Sequence, residues 1–335
     1  MSIKEIAEMT GLSITTVSHA INGTRKVSAK SKMLVDQAIK ETGYKPNLAA
    51  QMMKTQRSKT IALIIPATEP NNSTNCFYFD VLNGAKVFLE NNGYDLIVST
   101  YPEDHPEYDL CHMQVLQRRW VDGILLVPPS NDYAAIRGVQ ELNLPVVLLD
   151  RWVEGCTLPV VCSDNKGISI EAVILLANAG KKRIAYLGSN LDASTAKDRY
   201  QGYCEAMSRL GREIDPKMVK NGLKYTVADG YRATHELVVN GADAIFAANS
   251  VLTIGMLKKI KELKIRVPQE VALIGFDDYE WTEITEPPLT SVTQDADQMG
   301  RVGSEILLNI LEGREGTKTS VIIPARISVR GSHGG

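Results

Sequence analysis

In the first part of the chain, apolar positions recur at three- and four-residue spacing, the period of amphipathic helices. Ser2-Ile3-Lys4-Glu5 has the spelling of a capping box and opens a short helix that Gly11 ends. Ser13 caps a second helix, Ile14 to Ile21, ended by Asn22-Gly23. Val17, Ala20 and Ile21 fall on one of its faces. Ile14, Thr15, Ser18, His19 and Asn22 fall on the other. Ser28 caps a third helix that runs through Thr42 to Gly43. After Pro46, the segment from Asn47 to Lys54 has an N-cap and good helix formers, but at about two turns it is too short to be stable alone. Thr55 to Lys59 is polar and reads as a linker.

From Thr60 the pattern changes. Apolar, β-branched runs recur at Thr60–Pro66, Asp95–Thr100, Gly123–Pro128, Pro145–Asp150, Val160–Asp164, Arg183–Ser189, Ala244–Ala248, Val271–Phe276 and Thr290–Thr293. Helical patterns lie between them at 78–91, 132–142, 165–179, 196–210, 228–240 and 250–263. Buried strands alternating with helices predict an α/β fold, with parallel sheets flanked by helices. Roughly 270 residues are too many for one core, so two such lobes are expected behind a three-helix head.

Charge sharpens this division. Residues 1–59 hold ten Lys or Arg against four acids, giving +6; the other 276 hold 27 bases against 35 acids, giving −8. A basic head on an acidic body is the asymmetry expected when one end meets phosphate, although clustering on a solvated helical face would give the same sum. The five cysteines, Cys76, Cys111, Cys156, Cys162 and Cys204, form no CxxC pair. They read as reduced thiols, with no disulfide frame and no zinc or other metal site. The chain opens with no signal-peptide pattern, and no apolar run reaches the ~18 residues that span a bilayer, so a cytoplasmic protein is expected.

Three small capped helices fit either a helix-turn-helix or a plain helical subdomain. In the first case the second helix enters the major groove and its outward residues read bases. Ile14 could then meet a thymine methyl, Thr15 and His19 could bond base edges, and Ser18 and Asn22 could hold phosphate. The spelling adds to this. Ile3-Lys4-Glu5-Ile6-Ala7, Gly11-Leu12-Ser13, Thr16-Val17-Ser18-His19, Ile21-Asn22, Val27-Ser28, Gly43-Tyr44 and Pro46-Asn47 resemble the signature of the LacI/GalR repressor family. The head looks closest to its purine and ribose repressor branch, and the resemblance extends to about residue 330. It implies a helix-turn-helix domain at 1–46, with DNA contacts from Ile14, Thr15, Thr16, Ser18, His19 and Asn22. It implies a hinge helix and linker at 47–59, folding in the minor groove, with Met53 as an apolar wedge where the family usually has leucine and Lys54 beside it. The other reading of Met52 and Met53 is core filler.

The same resemblance implies an effector domain at 60–330 with the fold of periplasmic sugar-binding proteins. Its N-lobe would comprise about 60–162 and 292–321, and its C-lobe about 163–291 and 322–330. Ligands of open parallel sheets sit beyond the carboxyl ends of the strands, and here strands end at Asp150, Asp164, Asn249 and Asp277. Asp198-Arg199-Tyr200-Gln201-Gly202-Tyr203 resembles the family's "DR..G[FY]", whose Arg binds effector. Ile274-Gly275-Phe276-Asp277-Asp278 resembles "GFDD". Ala248-Asn249-Ser250 resembles "AND" with Ser for Asp. Asn75-Cys76-Phe77-Tyr78-Phe79-Asp80 resembles "NPFFAE" with Cys for Pro. Candidate effector residues are therefore Phe77, Tyr78, Asp150, Arg199, Gln201, Tyr225, Asn249, Asp277 and Trp281. Duller roles stand beside these: helix caps for Asp164 and Asp278, core for Phe77, and an inter-lobe salt bridge for Arg199.

These features imply a DNA-binding transcription regulator, a repressor, of a carbohydrate-related operon. Its partners would be a near-palindromic double-stranded operator, a second copy of the chain, and a sugar or sugar derivative acting as inducer; no cofactor and no membrane partner are expected. No heptad tail follows the last strand, so no tail-driven tetramer is expected. A co-repressed regulator answering to a purine or sugar phosphate is the alternative. An enzyme acting on sugars is more distant, since GxSxG, P-loop, GxGxxG and HExxH motifs are missing. A periplasmic binding protein would not carry the basic head.

Overall fold

A computed structural model describes residues 2–22, 25–44, 57–67, 76–102, 108–117, 120–314, 316 and 320–335. The chain divides into two compact units, Met1–Ser58 and Lys59–Gly335.

The head contains α1 (Ile3–Thr10), α2 (Ile14–Asn22) and α3 (Ala29–Thr42). The capping box at Ser2 is formed: Glu5 N–H reaches the Ser2 hydroxyl, and the Glu5 carboxylate accepts from Ser2 N–H at 2.8 Å. Gly11 and Gly43 end α1 and α3 in the left-handed region, at φ 65° and 63°, where a side chain would be strained. Ile6, Ala7, Val17, Ala20, Val35 and Ala38 form a small core between the three helices.

The second unit holds two six-stranded sheets. The first is built from β1 (Thr60–Ala67), β2 (Asp95–Pro102), β3 (Gly123–Leu126), β4 (Val146–Leu149), β5 (Val160–Ser163) and β11 (Ser320–Ile323), in the order β11-β5-β4-β3-β1-β2, all parallel. The second comprises β6 (Ile184–Ser189), β7 (Val219–Leu223), β8 (Ala244–Ala247), β9 (Ala272–Phe276), β10 (Thr290–Thr293) and β12 (Arg326–Ser328). Its order is β12-β10-β9-β8-β6-β7, parallel except for the antiparallel β10–β12 edge. The two orders are the same doubly wound pattern. In each lobe the winding reverses beside the first strand, which opens a crevice at the carboxyl ends.

Helices cover both faces of each sheet, which explains why β3, β4, β8 and β9 are apolar and buried along their whole length. The long helices are α4 (Phe77–Asn91), α5 (Asn165–Asn178), α6 (Ser194–Arg209), α7 (Val227–Val239), α8 (Ser250–Glu262) and α9 (Ala296–Leu311). Glycine permits the tightest crossings. A Cβ on Gly84 of α4 would collide with the Asp297 carbonyl on α9, and one on Gly300 with the Val81 carbonyl. The second lobe repeats this device: Gly230 of α7 lies against the Leu252 backbone and Gly255 of α8 against the Val227 carbonyl.

Several details differ from the sequence expectation. The helix expected at 132–142 is broken into a 3₁₀ turn, Tyr133–Ala135, and one helical turn, Arg137–Gln140. Strand pairing shifts the lobe boundaries by one or two residues. Ser163 still pairs with Ile323 in the first sheet and Val292 with Phe276 in the second, so the chain changes lobe after Ser163, Thr293 and Ile323. The second lobe also extends beyond residue 330. Ser332 and His333 are buried, and the Ser332 carbonyl accepts from Leu273 N–H at 2.8 Å, adding backbone pairing beside β9. Among the described residues, no helix is long and apolar enough to cross a membrane.

Candidate functional site

Two regions bring the candidate residues together, one in each unit. In the head, α2 turns Val17 and Ala20 inward, fully buried, and leaves Ile14 46% exposed. An isoleucine left in water on the face opposite the core is available to an apolar partner. Thr15 is exposed next to it, and Thr16, Ser18 and His19 are half-buried. Thr16 is engaged in the cap: its N–H donates to the Ser13 hydroxyl at 3.1 Å and the two hydroxyls are 2.8 Å apart. At the other end, the Lys32 ammonium on α3 donates to the Ala20 carbonyl at 3.2 Å, placing a cation on the negative end of α2 and fixing its angle. The Asn22 side chain, and Met53 and Lys54 with the whole segment 45–56, lie outside the described residues.

In the second unit the strand ends converge. Asp150 follows β4 and Asp277 follows β9; both are buried, and their φ values are 64° and 67°. At Asp150 the chain makes a three-residue turn, with Arg151 N–H on the Leu149 carbonyl at 2.6 Å. Burial pushes the Asp150 carboxyl above its ordinary range. The guanidinium groups of Arg151 and Arg199 oppose that rise, and the Asp277 carboxylate adds to it. The carboxyl ends of the two sheets are thus close enough for Asp150 to sense Asp277 and Arg199 of the other lobe.

Arg199 projects from α6 into this gap and is 6% exposed. Its Nε donates to Asn165 Oδ1 and its Nη1 to the Ala248 carbonyl, both at 2.7 Å. Its guanidinium lies 3.6 Å from the centroid of the Phe276 ring. The side chain is thus anchored on three sides within the second lobe, and among the described residues Arg199 itself makes no ion pair with the first lobe. Asn249 caps α8, accepting from Leu252 N–H at 2.8 Å; its Nδ2 is buried with no partner among the described residues. On the opposite wall, the Tyr78 hydroxyl reaches Asp150 Oδ2 at 3.4 Å, and Phe77 packs edge-on to Tyr78 within the first lobe's core.

Sequence reasoning missed three residues of this group. Arg151, buried, donates to the Pro128 and Pro129 carbonyls at 3.2 and 3.5 Å and to the Tyr78 hydroxyl at 3.4 Å, 3.7 Å from Asp150. Asn165 holds Arg199. Gln294, just past β10, donates to Asp277 Oδ1 at 2.7 Å, while its own Oε1 is buried without a partner among the described residues. The strand-end rule that located Asp150, Asn249 and Asp277 also points to Gln294.

Some candidates stand apart. Gln201 is exposed on α6 and makes no hydrogen bond to the group among the described residues. Trp281 packs against the core on the α7–α8 face of the second sheet, with Nε1 buried and without a partner among the described residues. Tyr225 is half-buried in the loop before α7, close enough to influence Tyr186. Asp164 caps α5 through Gly167 N–H at 2.9 Å. Asp278 is a structural anchor: Arg330 grips it with bonds of 2.6 and 3.0 Å, and Thr282 and Ser291 donate to it as well. Among the described residues no cluster of His, Cys, Asp and Glu is arranged to hold a metal ion.

The family models that match are "Bacterial regulatory proteins, lacI family" over residues 2–47 and "Periplasmic binding protein-like domain" over residues 173–333. The HTH-type transcriptional regulator RegA of Clostridium saccharobutylicum is 32% identical over 318 residues, covering 94% of this chain and 93% of that protein. The HTH-type transcriptional regulator CelR of Thermobifida fusca is 31% identical over 335 residues, covering 99% and 98%. Among solved structures, a transcriptional regulator CelR–cellobiose complex superposes with a TM-score of 0.75 at 29% identity, covering 99% of each chain. A capped three-helix head that leaves Ile14 and Thr15 exposed, joined to two doubly wound lobes that meet at buried carboxylates, therefore has a family: the chain belongs to the LacI family of bacterial DNA-binding transcription regulators.

Proposed function

We propose that the chain represses a carbohydrate-related operon as a homodimer, with α2 reading a near-palindromic operator and a small uncharged sugar acting between the lobes. The observation that carries the effector reading is the pair Asp150 and Asp277, flanked by two buried atoms without partners among the described residues, the Asn249 amide nitrogen and the Gln294 amide oxygen. Two carboxylates accept from hydroxyls, the free amide nitrogen needs an acceptor, and the free amide oxygen needs a donor. A polyol supplies all of these, and Tyr78 adds a ring edge. Both arginines are already engaged by protein oxygens and balance the carboxylates, which favours a neutral ligand over a phosphate. The cellobiose bound in the similar CelR structure fits that class.

On the DNA side, Ile14, Thr15, Ser18 and His19 would face the major groove, with Asn22, Met53 and Lys54 at the backbone and minor groove. Effector shifts operator affinity by its preference for one lobe arrangement over another, and we expect it to lower that affinity. Two measurements test the reading. Selection from a random duplex library should yield a near-palindromic site, and recovery of no preferred sequence would reject the DNA assignment. A thermal-shift screen of neutral sugars, sugar acids, sugar phosphates and purines should give its largest shift with a neutral sugar that also releases the selected duplex. A response confined to phosphates or purines would replace it with the co-repressor alternative.

A further inference from the structure

The first turns of α6 carry two sets of contacts. One is Arg199, already placed in the inter-lobe group. The other crosses to the first lobe. Trp152, two residues after Asp150, donates its backbone N–H to the Ser194 hydroxyl at 2.9 Å and its indole N–H to Asp198 Oδ2 at 2.8 Å. Ser194 is fully buried. Lys197 stands 5.4 Å from the Trp152 ring and 3.6 Å from the Glu154 carboxylate. Next to it, Asn131 donates through its backbone to the Asp192 carbonyl at 2.7 Å and through its side chain to the Leu191 carbonyl at 3.3 Å. Glu154 N–H closes onto the Asn131 carbonyl at 2.9 Å, so the two loops of the first lobe act as one piece.

These bonds differ in kind from the covalent crossings after Ser163, Thr293 and Ile323, which bend without breaking. The Trp152 and Asn131 bonds have to break for the lobes to part here. The strongest of them is the indole on Asp198, a neutral donor on a carboxylate in a partly desolvated place. Burial raises the Asp198 pKa, and the indole hydrogen bond offsets part of that rise, so losing Trp152 would leave a costly carboxylate.

We infer that Trp152 on Asp198 and Ser194 is a latch that holds the two lobes closed and reports effector occupancy through α6. This rests on the reading of the Asp150–Asp277 group as the effector site, because Arg199 is the next residue after Asp198. Trp152 is thus a positioning residue: it touches the neighbouring lobe and sets the closed fraction. The latch shifts the closed-to-open ratio by about tenfold or more, the usual weight of one charge-assisted hydrogen bond.

The test uses full-length protein and amide hydrogen exchange. In Trp152→Phe, which keeps the apolar body and removes the indole donor, exchange at the Asn131 amide should rise about tenfold, while amides within β4 and β8 keep their protection. Asp198→Asn, which keeps an acceptor but loses the charge, should fall between wild type and Trp152→Phe. Unchanged Asn131 exchange in both variants overturns the latch. An equal rise in β4 and β8 also overturns it, because that is general destabilisation. A second arm separates the latch from the effector reading. If Asn131 exchange rises but the affinity for the selected duplex and the response to the best neutral sugar do not move, the latch stands and the coupling through the site falls.

Discussion

Asp150 and Asp277 occupy equivalent places in two different sheets. Each is the first residue beyond the strand that lies third from the β2 or β7 edge, counting that edge as zero, and each has a left-handed backbone, φ 64° and 67°. Aspartate and asparagine tolerate that conformation better than most residues, which pay about 1–2 kcal/mol for it. Each carboxylate is held at its strand end by a neighbour, Asp150 by the Tyr78 hydroxyl and Asp277 by the Gln294 amide.

Asp277→Asn should therefore keep the fold and remove only the charge. Burial raises the Asp150 pKa and Asp277 raises it further, so the variant should bring Asp150 back toward its ordinary range in a carboxyl-carbon NMR titration. The sign for stability follows. A carboxyl whose folded pKa is raised loses stability as pH climbs from its ordinary value through the folded one, and Asp277→Asn should flatten that loss. An unshifted Asp150 titration would mean that the two groups do not sense each other. Asp277→Val, by contrast, should also lower the melting temperature, since a β-branched residue is strained at positive φ.

Arg330 and Asp278 form the firmest polar anchor of the second lobe. Burial works against the charged carboxylate, yet the bonds from Arg330, Ser291 and Thr282 outweigh it and hold Asp278 far below the usual carboxylate range. Its stabilising effect is present above an ordinary carboxylate pKa and is lost as pH falls below it. Arg330→Ala should cost about 2 kcal/mol at pH 7, the scale for losing charge-assisted hydrogen bonds in a partly buried place, and make acid unfolding less steep. Denaturant unfolding between pH 3 and 7 measures both, and a loss under about 0.5 kcal/mol at pH 7 would contradict the anchor role.

The sequence made some of this legible and hid the rest for physical reasons. Period and caps gave the head, since Ser2, Ser13, Ser28, Gly11 and Gly43 act within a few residues of themselves. Fully apolar strands such as Val146–Leu149 announced a parallel sheet. β7, with Lys220, Asn221 and Gly222, did not, because an edge strand can be half polar. The glycines of α9 interrupt its apolar stripe and obscured the helix, though they are what lets it approach α4. Arg151 became visible only in the folded chain, where its guanidinium meets the Tyr78 hydroxyl and the Pro128 carbonyl, while Gln294 was within reach of the strand-end rule.

Gly84→Ala tests that close approach directly. The added methyl would meet the Asp297 carbonyl, which belongs to the α9 backbone and cannot turn away. Overpacking of this kind costs about 1–3 kcal/mol, more than the ~1 kcal/mol alanine gains in helix propensity over glycine. The melting temperature of Gly84→Ala should therefore fall. The same change at Gly93, where nothing lies within 4 Å but φ is 73°, is strained by backbone alone and serves as a comparison. A rise in melting temperature for Gly84→Ala would show that the helices separate at no cost.

His19 tests the head. It lies half-buried on the outward side of α2, one turn from Thr15 and Thr16, while Lys32 and the Ser13 cap fix the helix at both ends. A side chain that reads a base adds specificity, whereas one that meets phosphate adds affinity on any sequence. His19→Ala should thus weaken binding to the selected duplex by about tenfold or more, within the 1–3 kcal/mol of a base contact, and change binding to random duplex by less than twofold. The salt dependence should stay the same, because no phosphate contact is lost. Competition binding at two salt concentrations distinguishes the outcomes. Equal losses on selected and random DNA, with a shallower salt slope, would place His19 at the backbone and leave Ile14 and Thr15 as the base readers.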